Sequence, residues 1–233
     1  MSKPFEITSW EDAEAAMQAI VDYNAALHRG KGSFMRRRIG FGTKPAILVI
    51  DMANAWTRPG TPYTCDGMDT IIPGTRRLLD VARAKELPIV FTTMAYSDPV
   101  GPNSDAGLVQ HKFESSYFPL GGETTLIDER LGMRPNEQFV VKKRASAFHG
   151  TYLSGYLRSA GVDTVVVTGV TASGCVRNSC EDAHGDGFRV IAVRELIGDR
   201  VPGVTTYNLF DIDARFGDVE PLESVLATLE ALE

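Results

Sequence analysis

Three side chains in this 233-residue sequence have the types and settings for covalent chemistry: the acid Asp51, the lysine Lys142 and the thiol Cys175. Each stands at the end of a short apolar run, Ala46–Ile50, Phe139–Val141 and Thr164–Val167 with the small residues that follow it. A carboxylate to take a proton, a cation to balance charge and a sulfur nucleophile suffice for hydrolysis of an amide through a covalent intermediate. Small residues before the thiol, Gly169, Ala172, Ser173 and Gly174, allow a tight strand-to-helix turn. A thiol there meets the free N–H groups of a helix start, which favour a thiolate and can hold an oxyanion.

Plainer readings exist for each. Cys175 also fits as a small residue at a crowded turn, Asp51 as the cap of the next turn, and Lys142 as a side chain that snorkels to water. Four histidines offer other partners for the thiol, with His149 and His184 nearer to it in sequence than His28 and His111. A nucleotide loop does not fit, because Gly169 and Gly174 lack the Gly-x-Gly-x-x-Gly spacing.

The elements that must position these groups alternate strand and helix. Apolar runs at 46–50, 89–93, 139–141, 164–167 and 190–193 have the unbroken character of parallel strands buried on both faces. Between them, helices are predicted at 73–87 with Pro73 leading, at 151–160 and from 175 to about 187. From Glu195 a polar loop is expected, then a helix over 205–215, a short strand or turn at 216–219 and a last helix through Leu222 and Leu229. In open parallel sheets ligands bind at the C-terminal strand tips, where all three groups lie. Residues 95–122, broken by three prolines and four glycines, read as a long loop of the kind that covers a site.

One domain over residues 45–233 is expected, with residues 1–44 as an N-terminal helix (8–29) and a connecting segment packed on it. The run Arg36-Arg37-Arg38 in that segment suits a solvated or subunit-contact face. A net charge of -6 and a pI near 5.3 argue against a nucleic-acid partner. No signal-like or membrane-length apolar run is visible, so a cytoplasmic protein is expected. Three cysteines without Cys-x-x-Cys spacing suggest free thiols.

Asp51, Lys142 and Cys175 together resemble the triad of the isochorismatase-like cysteine hydrolases. The resemblance runs from about Phe34 to the last helix. It is carried by Ile50-Asp51, Ala53-Asn54-Ala55-Trp56-Thr57, Pro59-Gly60, Gly67-Met68, Arg144-Ala145-Ser146-Ala147-Phe148, Gly174-Cys175-Val176-Arg177, Gly198-Asp199-Arg200-Val201-Pro202-Gly203-Val204 and Phe216-Gly217-Asp218-Val219-Glu220. The pattern Lys-x-Arg-x-Ser-Ala-Phe selects Lys142 over Lys143.

The resemblance implies a three-layer α/β/α fold with a mostly parallel sheet of about six strands. It implies a cysteine-dependent amidohydrolase that cleaves the carbamoyl amide of N-carbamoylsarcosine or a close ureido acid, through a covalent thioester, to the amine, CO2 and ammonia. A maleamate-type or other small carboxylated amide is the alternative, and a non-catalytic binding member of the fold is the reading from a different class. Asp51 is then the base, and the N–H groups of Thr171 and Cys175 form the oxyanion hole, after a cis peptide before Thr171. Arg200 becomes the carboxylate clamp, since guanidinium matches that anion with two bonds, or else the member of a structural ion pair. Asn54 and Trp56 are expected in the substrate pocket. No cofactor and no metal are expected, because Tyr96-Ser97-Asp98-Pro99 carries no histidine pair. The partner is a small amide, with neither nucleic acid nor membrane, and a homo-oligomer, a tetramer by resemblance, is implied.

Overall fold

The computed structural model describes residues 7–30 and 37–232, the side chains of 28–30 excepted. Phe34 and Arg36 of the predicted connecting segment lie outside the described residues. Six strands form one sheet: β1 (Pro45–Ile50), β2 (Ile89–Met94), β3 (Gln138–Lys142), β4 (Thr164–Val170), β5 (Arg189–Gly198) and β6 (Asp218–Glu220). Their order is β3-β2-β1-β4-β5-β6 and every pairing is parallel. The order reverses direction between β1 and β4, so the crevice beyond their C-terminal ends is the topological switch point where such sheets bind ligands.

Every residue of β1, β2 and β4 is buried, as continuous apolar runs require when helices cover both faces. The two-residue period of a strand sends neighbours to opposite sides. Ile47, Val49 and Phe91 join a core with Leu78, Leu79 and Val225 of α3 (Met68–Ala84) and α7 (Leu222–Glu230). On the other side, Leu48, Val165 and Val167 join Leu157, Ala183 and Ile212 of α4 (Leu153–Ser159), α5 (Arg177–Gly185) and α6 (Val204–Arg215). This is the expected three-layer α/β/α architecture. The N-terminal helix α1 (Trp10–Gly30) lies on α6, and a four-residue helix α2 (Asn54–Thr57) follows β1.

Two elements differ from the sequence reading. Helix α3 begins five residues before Pro73, at a Gly67 cap with φ of 73°. Pro73 is exposed, so the Asp69 carbonyl that loses its partner can meet water. Strand β5 runs five residues past Val193, through the region expected to be a polar loop. Its register against β4 shifts between Val167 and Gly169, and Arg194 and Glu195 both face solvent there. A bulge of this kind breaks the two-residue period by which a strand is recognised. Among the described residues no helix is long and apolar enough to cross a membrane.

Candidate active site

Asp51 leaves the tip of β1 in the left-handed region, with φ of 49°. That conformation costs an ordinary residue about 1–3 kcal/mol and holds only where its surroundings fix it. Thr92 on the adjacent β2 does this twice. Its hydroxyl donates to Asp51 Oδ1 at 2.7 Å and accepts the Asp51 N–H at 3.1 Å. Thr92 is a hydroxyl in an apolar strand, a signal that was present in the sequence and carried no role there.

Lys142, the last residue of β3, is wholly buried and reaches both of the other groups. Its Nζ lies 2.8 Å from Asp51 Oδ2 and 3.2 Å from Cys175 Sγ, and it donates to the Arg144 carbonyl at 3.1 Å. Snorkelling is therefore not its fate. The three strand-tip residues converge, and neither lysine nor acid has any solvent exposure. Burial by itself would lower the Lys142 pKa, but the Asp51 carboxylate beside it holds it above the ordinary lysine value. For Cys175 burial is also the largest influence, and it pushes the thiol up to about 12 against the pull of Lys142. The negative charge of Asp51 adds to that rise. Burial thus works against the thiolate that a helix start alone would favour.

The turn that presents Cys175 is tightly specified. At Gly169, φ is 114°, and a Cβ there would stand 2.0 Å from the Ile50 carbonyl oxygen, so only glycine lets β4 approach β1 this closely. The Val170–Thr171 peptide is cis. A wide π-type turn, Ala172–Val176, then closes through bonds from the Gly174 and Val176 N–H groups to the Thr171 carbonyl. Below it the Ser179 hydroxyl donates to the Cys175 carbonyl at 2.6 Å and accepts the Ala147 N–H at 2.9 Å. This ties Cys175 to the segment that follows Lys142.

Asp199, just beyond β5, clasps the turn from the far side. Its Oδ2 accepts both the N–H and the hydroxyl of Ser173, at 2.9 and 2.7 Å, and its Oδ1 accepts the Arg200 N–H at 2.7 Å. The Arg200 guanidinium lies over the rings of Trp56 and Tyr63, 5.9 and 5.8 Å from their centroids, and among the described residues it pairs with no acid. Trp56 is buried with its Nε1 unpartnered. Its ring packs with Tyr63, Phe113 and Phe118.

The aromatic stack fixes the long segment after β2, which folds into short 3-10 turns at Gly107–His111, Ser115–Tyr117 and Glu123–Thr125. Lys143 pairs with Asp105 at 2.8 Å and Arg144 donates to the carbonyls of Asp105 and Ala106. The two residues that follow Lys142 thus anchor this segment. Asn54 follows β1 on α2. Its amide donates to the Glu123 carbonyl at 2.9 Å, and it lines a cleft of about 580 Å³ with Arg58, Thr61 and Thr124, facing solvent. His149 and His184 are exposed and neither bonds to Cys175. Among the described residues no group of three or more His, Cys, Asp or Glu side chains could hold a metal ion.

Residues 45–224 match the family model described as the Isochorismatase domain. The chain is 44% identical over 230 residues to the N-carbamoylsarcosine amidase of Arthrobacter sp, covering 96% of this chain and 86% of that protein. It is 37% identical over 197 residues to the maleamate amidohydrolase of Pseudomonas putida, covering 84% and 92%. The crystal structure of an isochorismatase family protein from Desulfovibrio vulgaris is similar with a TM-score of 0.72 at 28% identity, covering 81% of this chain and 99% of that one. On the domain match and the two relatives, with a sheet of the same kind beneath them, the chain belongs to the isochorismatase family.

Proposed function

We propose that the chain hydrolyses the carbamoyl amide of N-carbamoylsarcosine or a close ureido acid, with Cys175 as nucleophile. The chain is a hydrolase acting on linear amide C–N bonds. The observation that carries the cysteine mechanism is the buried constellation in which Lys142 Nζ touches Asp51 Oδ2 and Cys175 Sγ together. The 44% identity to a protein named for that substrate supports the choice of amide. So does Arg200, a guanidinium without an acid partner among the described residues, held on an aromatic surface where a substrate carboxylate could pair with it.

In the reaction Asp51 takes the Cys175 proton as the sulfur attacks the carbamoyl carbon. Proton transfer and attack are coupled, since burial raises the thiol above its ordinary value and Asp51 must accept its proton. Lys142 stays charged and balances the negative charge passing between sulfur and carboxylate. The N–H groups of Thr171 and Cys175 receive the oxyanion. Asp51 then returns the proton to the departing nitrogen, the C–N bond breaks and ammonia leaves. Water, giving its proton to Asp51, opens the S-acyl intermediate, and Asp51 passes that proton to the departing Cys175 sulfur. The resulting carbamic acid decomposes to the amine and CO2.

Ammonia release from N-carbamoylsarcosine, other N-carbamoyl amino acids, maleamate, biuret and nicotinamide tests the assignment. Preference for N-carbamoylsarcosine is expected. Release from maleamate alone favours the second reading, which the 37% identity to the maleamate amidohydrolase supports. Cys175→Ala should be folded and nearly inactive. If it keeps most activity the covalent mechanism is wrong, and silence of the unaltered protein across the panel points to a non-catalytic member.

A further inference from the structure

The family model begins at residue 45 and leaves α1 out. The 44% identical relative, however, is matched over 96% of this chain, a span that cannot omit a 21-residue helix. What α1 touches gives it a part in the site. Helix α6 starts at Gly203, whose φ of 74° is left-handed and which has no side chain to cap the helix. The cap comes from α1 instead. Glu14 Oε1 accepts the Gly203 N–H at 2.8 Å and Glu14 Oε2 accepts the Thr206 hydroxyl at 2.9 Å. A carboxylate there satisfies free donors and favours the positive end of the helix dipole. The fit is close, since a Cβ on Gly203 would stand 3.1 Å from both the Ala13 carbonyl oxygen and Met17 Cβ.

Gly203 is only three residues beyond Arg200. The intervening Val201 is 44% exposed and contributes little packing. The short segment is therefore held at its ends, by Asp199 on the nucleophile side and by Glu14 on the helix side. We infer that Glu14 is a positioning residue for Arg200, so that the N-terminal helix sets the affinity for the substrate carboxylate without touching substrate. This rests on the reading of Arg200 as the carboxylate clamp.

The test compares Glu14→Ala, Glu14→Gln and Arg200→Ala in the full chain. Kinetics use N-carbamoylsarcosine and N-methylurea, which keeps the carbamoyl amide and lacks the carboxylate, as substrate or competitive inhibitor. Glu14→Ala should raise KM for N-carbamoylsarcosine roughly 5- to 10-fold, the size of one lost cap, with kcat and the binding of N-methylurea unchanged. Glu14→Gln keeps one acceptor oxygen and should fall between. Independently of substrate, trypsin should cut after Arg200 faster in folded Glu14→Ala than in the parent. Unchanged KM and unchanged cleavage overturn the inference, and so does an equal loss for both ligands, which would mean general damage. If Arg200→Ala leaves KM unaltered the clamp reading fails, and the cleavage rate alone then decides whether Glu14 holds the segment.

Discussion

Lys142→Met removes a charge from the centre of the site while keeping the length of the side chain. Asp51 then becomes an unpaired carboxylate with no solvent exposure. Deleting one partner of a buried ion pair costs about 3–5 kcal/mol. Lys142 also gives up bonds to Cys175 Sγ and the Arg144 carbonyl, which pushes the loss toward the upper end of that range. The Thr92 hydroxyl on Asp51 Oδ1 survives and moderates it. Asp51→Asn strands the lysine instead and should cost a similar amount. The double variant removes both charges. Replacement of a whole buried pair is often neutral or stabilising by about 1–4 kcal/mol, so the double should be more stable than either single. All three should release ammonia at least about 10²-fold more slowly, the lower bound for losing general-base assistance. Urea unfolding at pH 7 and turnover of the four proteins decide the matter. If the two single losses simply add in the double variant, the charges act on stability separately and the argument from mutual compensation fails.

Three further outcomes follow from named contacts. Gly169→Ala drives a Cβ to 2.0 Å from the Ile50 carbonyl oxygen at a φ of 114°. Strain and overpacking together should cost about 3 kcal/mol or more, and a melting temperature within a degree of the parent would contradict this. The buried thiols Cys65, Cys175 and Cys180 are each raised by burial to about 12 from an ordinary 9.0. A folded value above the unfolded one means the contribution is complete below pH 9 and is lost as pH climbs toward 12. Each thiol should remove about 1.4 kcal/mol of stability per pH unit in that window. Cys175→Ala should therefore show a shallower decline in urea midpoint between pH 9.5 and 10.5, and identical slopes would refute the assignment. Arg200→Lys keeps the charge but loses the two-pronged geometry. It should raise KM for the carboxylated amide about 10-fold at nearly constant kcat, and a fall in kcat with KM unmoved would place Arg200 elsewhere in the reaction.

Strand tips were legible because the apolar runs end abruptly, in a polar residue at Asp51 and Lys142 and in a turn of small residues before Cys175, which is how the three could be picked out one strand at a time. Their supports were not. Thr92 meets Asp51 across 41 residues of sequence and Asp199 meets Ser173 across 26, and contacts made between strands leave no local pattern. Asp199 was in view only as part of a motif with Arg200. The aromatic stack under Arg200 joins Trp56 and Tyr63 to Phe113 and Phe118, from a segment whose course no periodicity indicates. The early start of α3 was hidden by reading Pro73 as a first residue. The length of β5 was hidden by two adjacent charges at a bulge. The rise that burial imposes on the Cys175 thiol was invisible for another reason: a helix start can be inferred from sequence, whereas the depth at which it buries a sulfur cannot.

One carboxylate, that of Asp199, grips the turn bearing the sulfur with one oxygen and the backbone of Arg200 with the other. On the proposed reading, the backbone spacing between the turn of the nucleophile and Arg200 is consequently set by a single side chain, which works as a ruler. On that reading, an amide whose carboxylate sits one methylene farther from its carbamoyl carbon cannot be accommodated by shifting one end alone. Such a misfit is worth roughly 1–3 kcal/mol in a snug site. Selection would then act on the length of the acid more than on the group attached to its nitrogen, so homologues that differ in chain length should separate more sharply than those that differ in N-substituent.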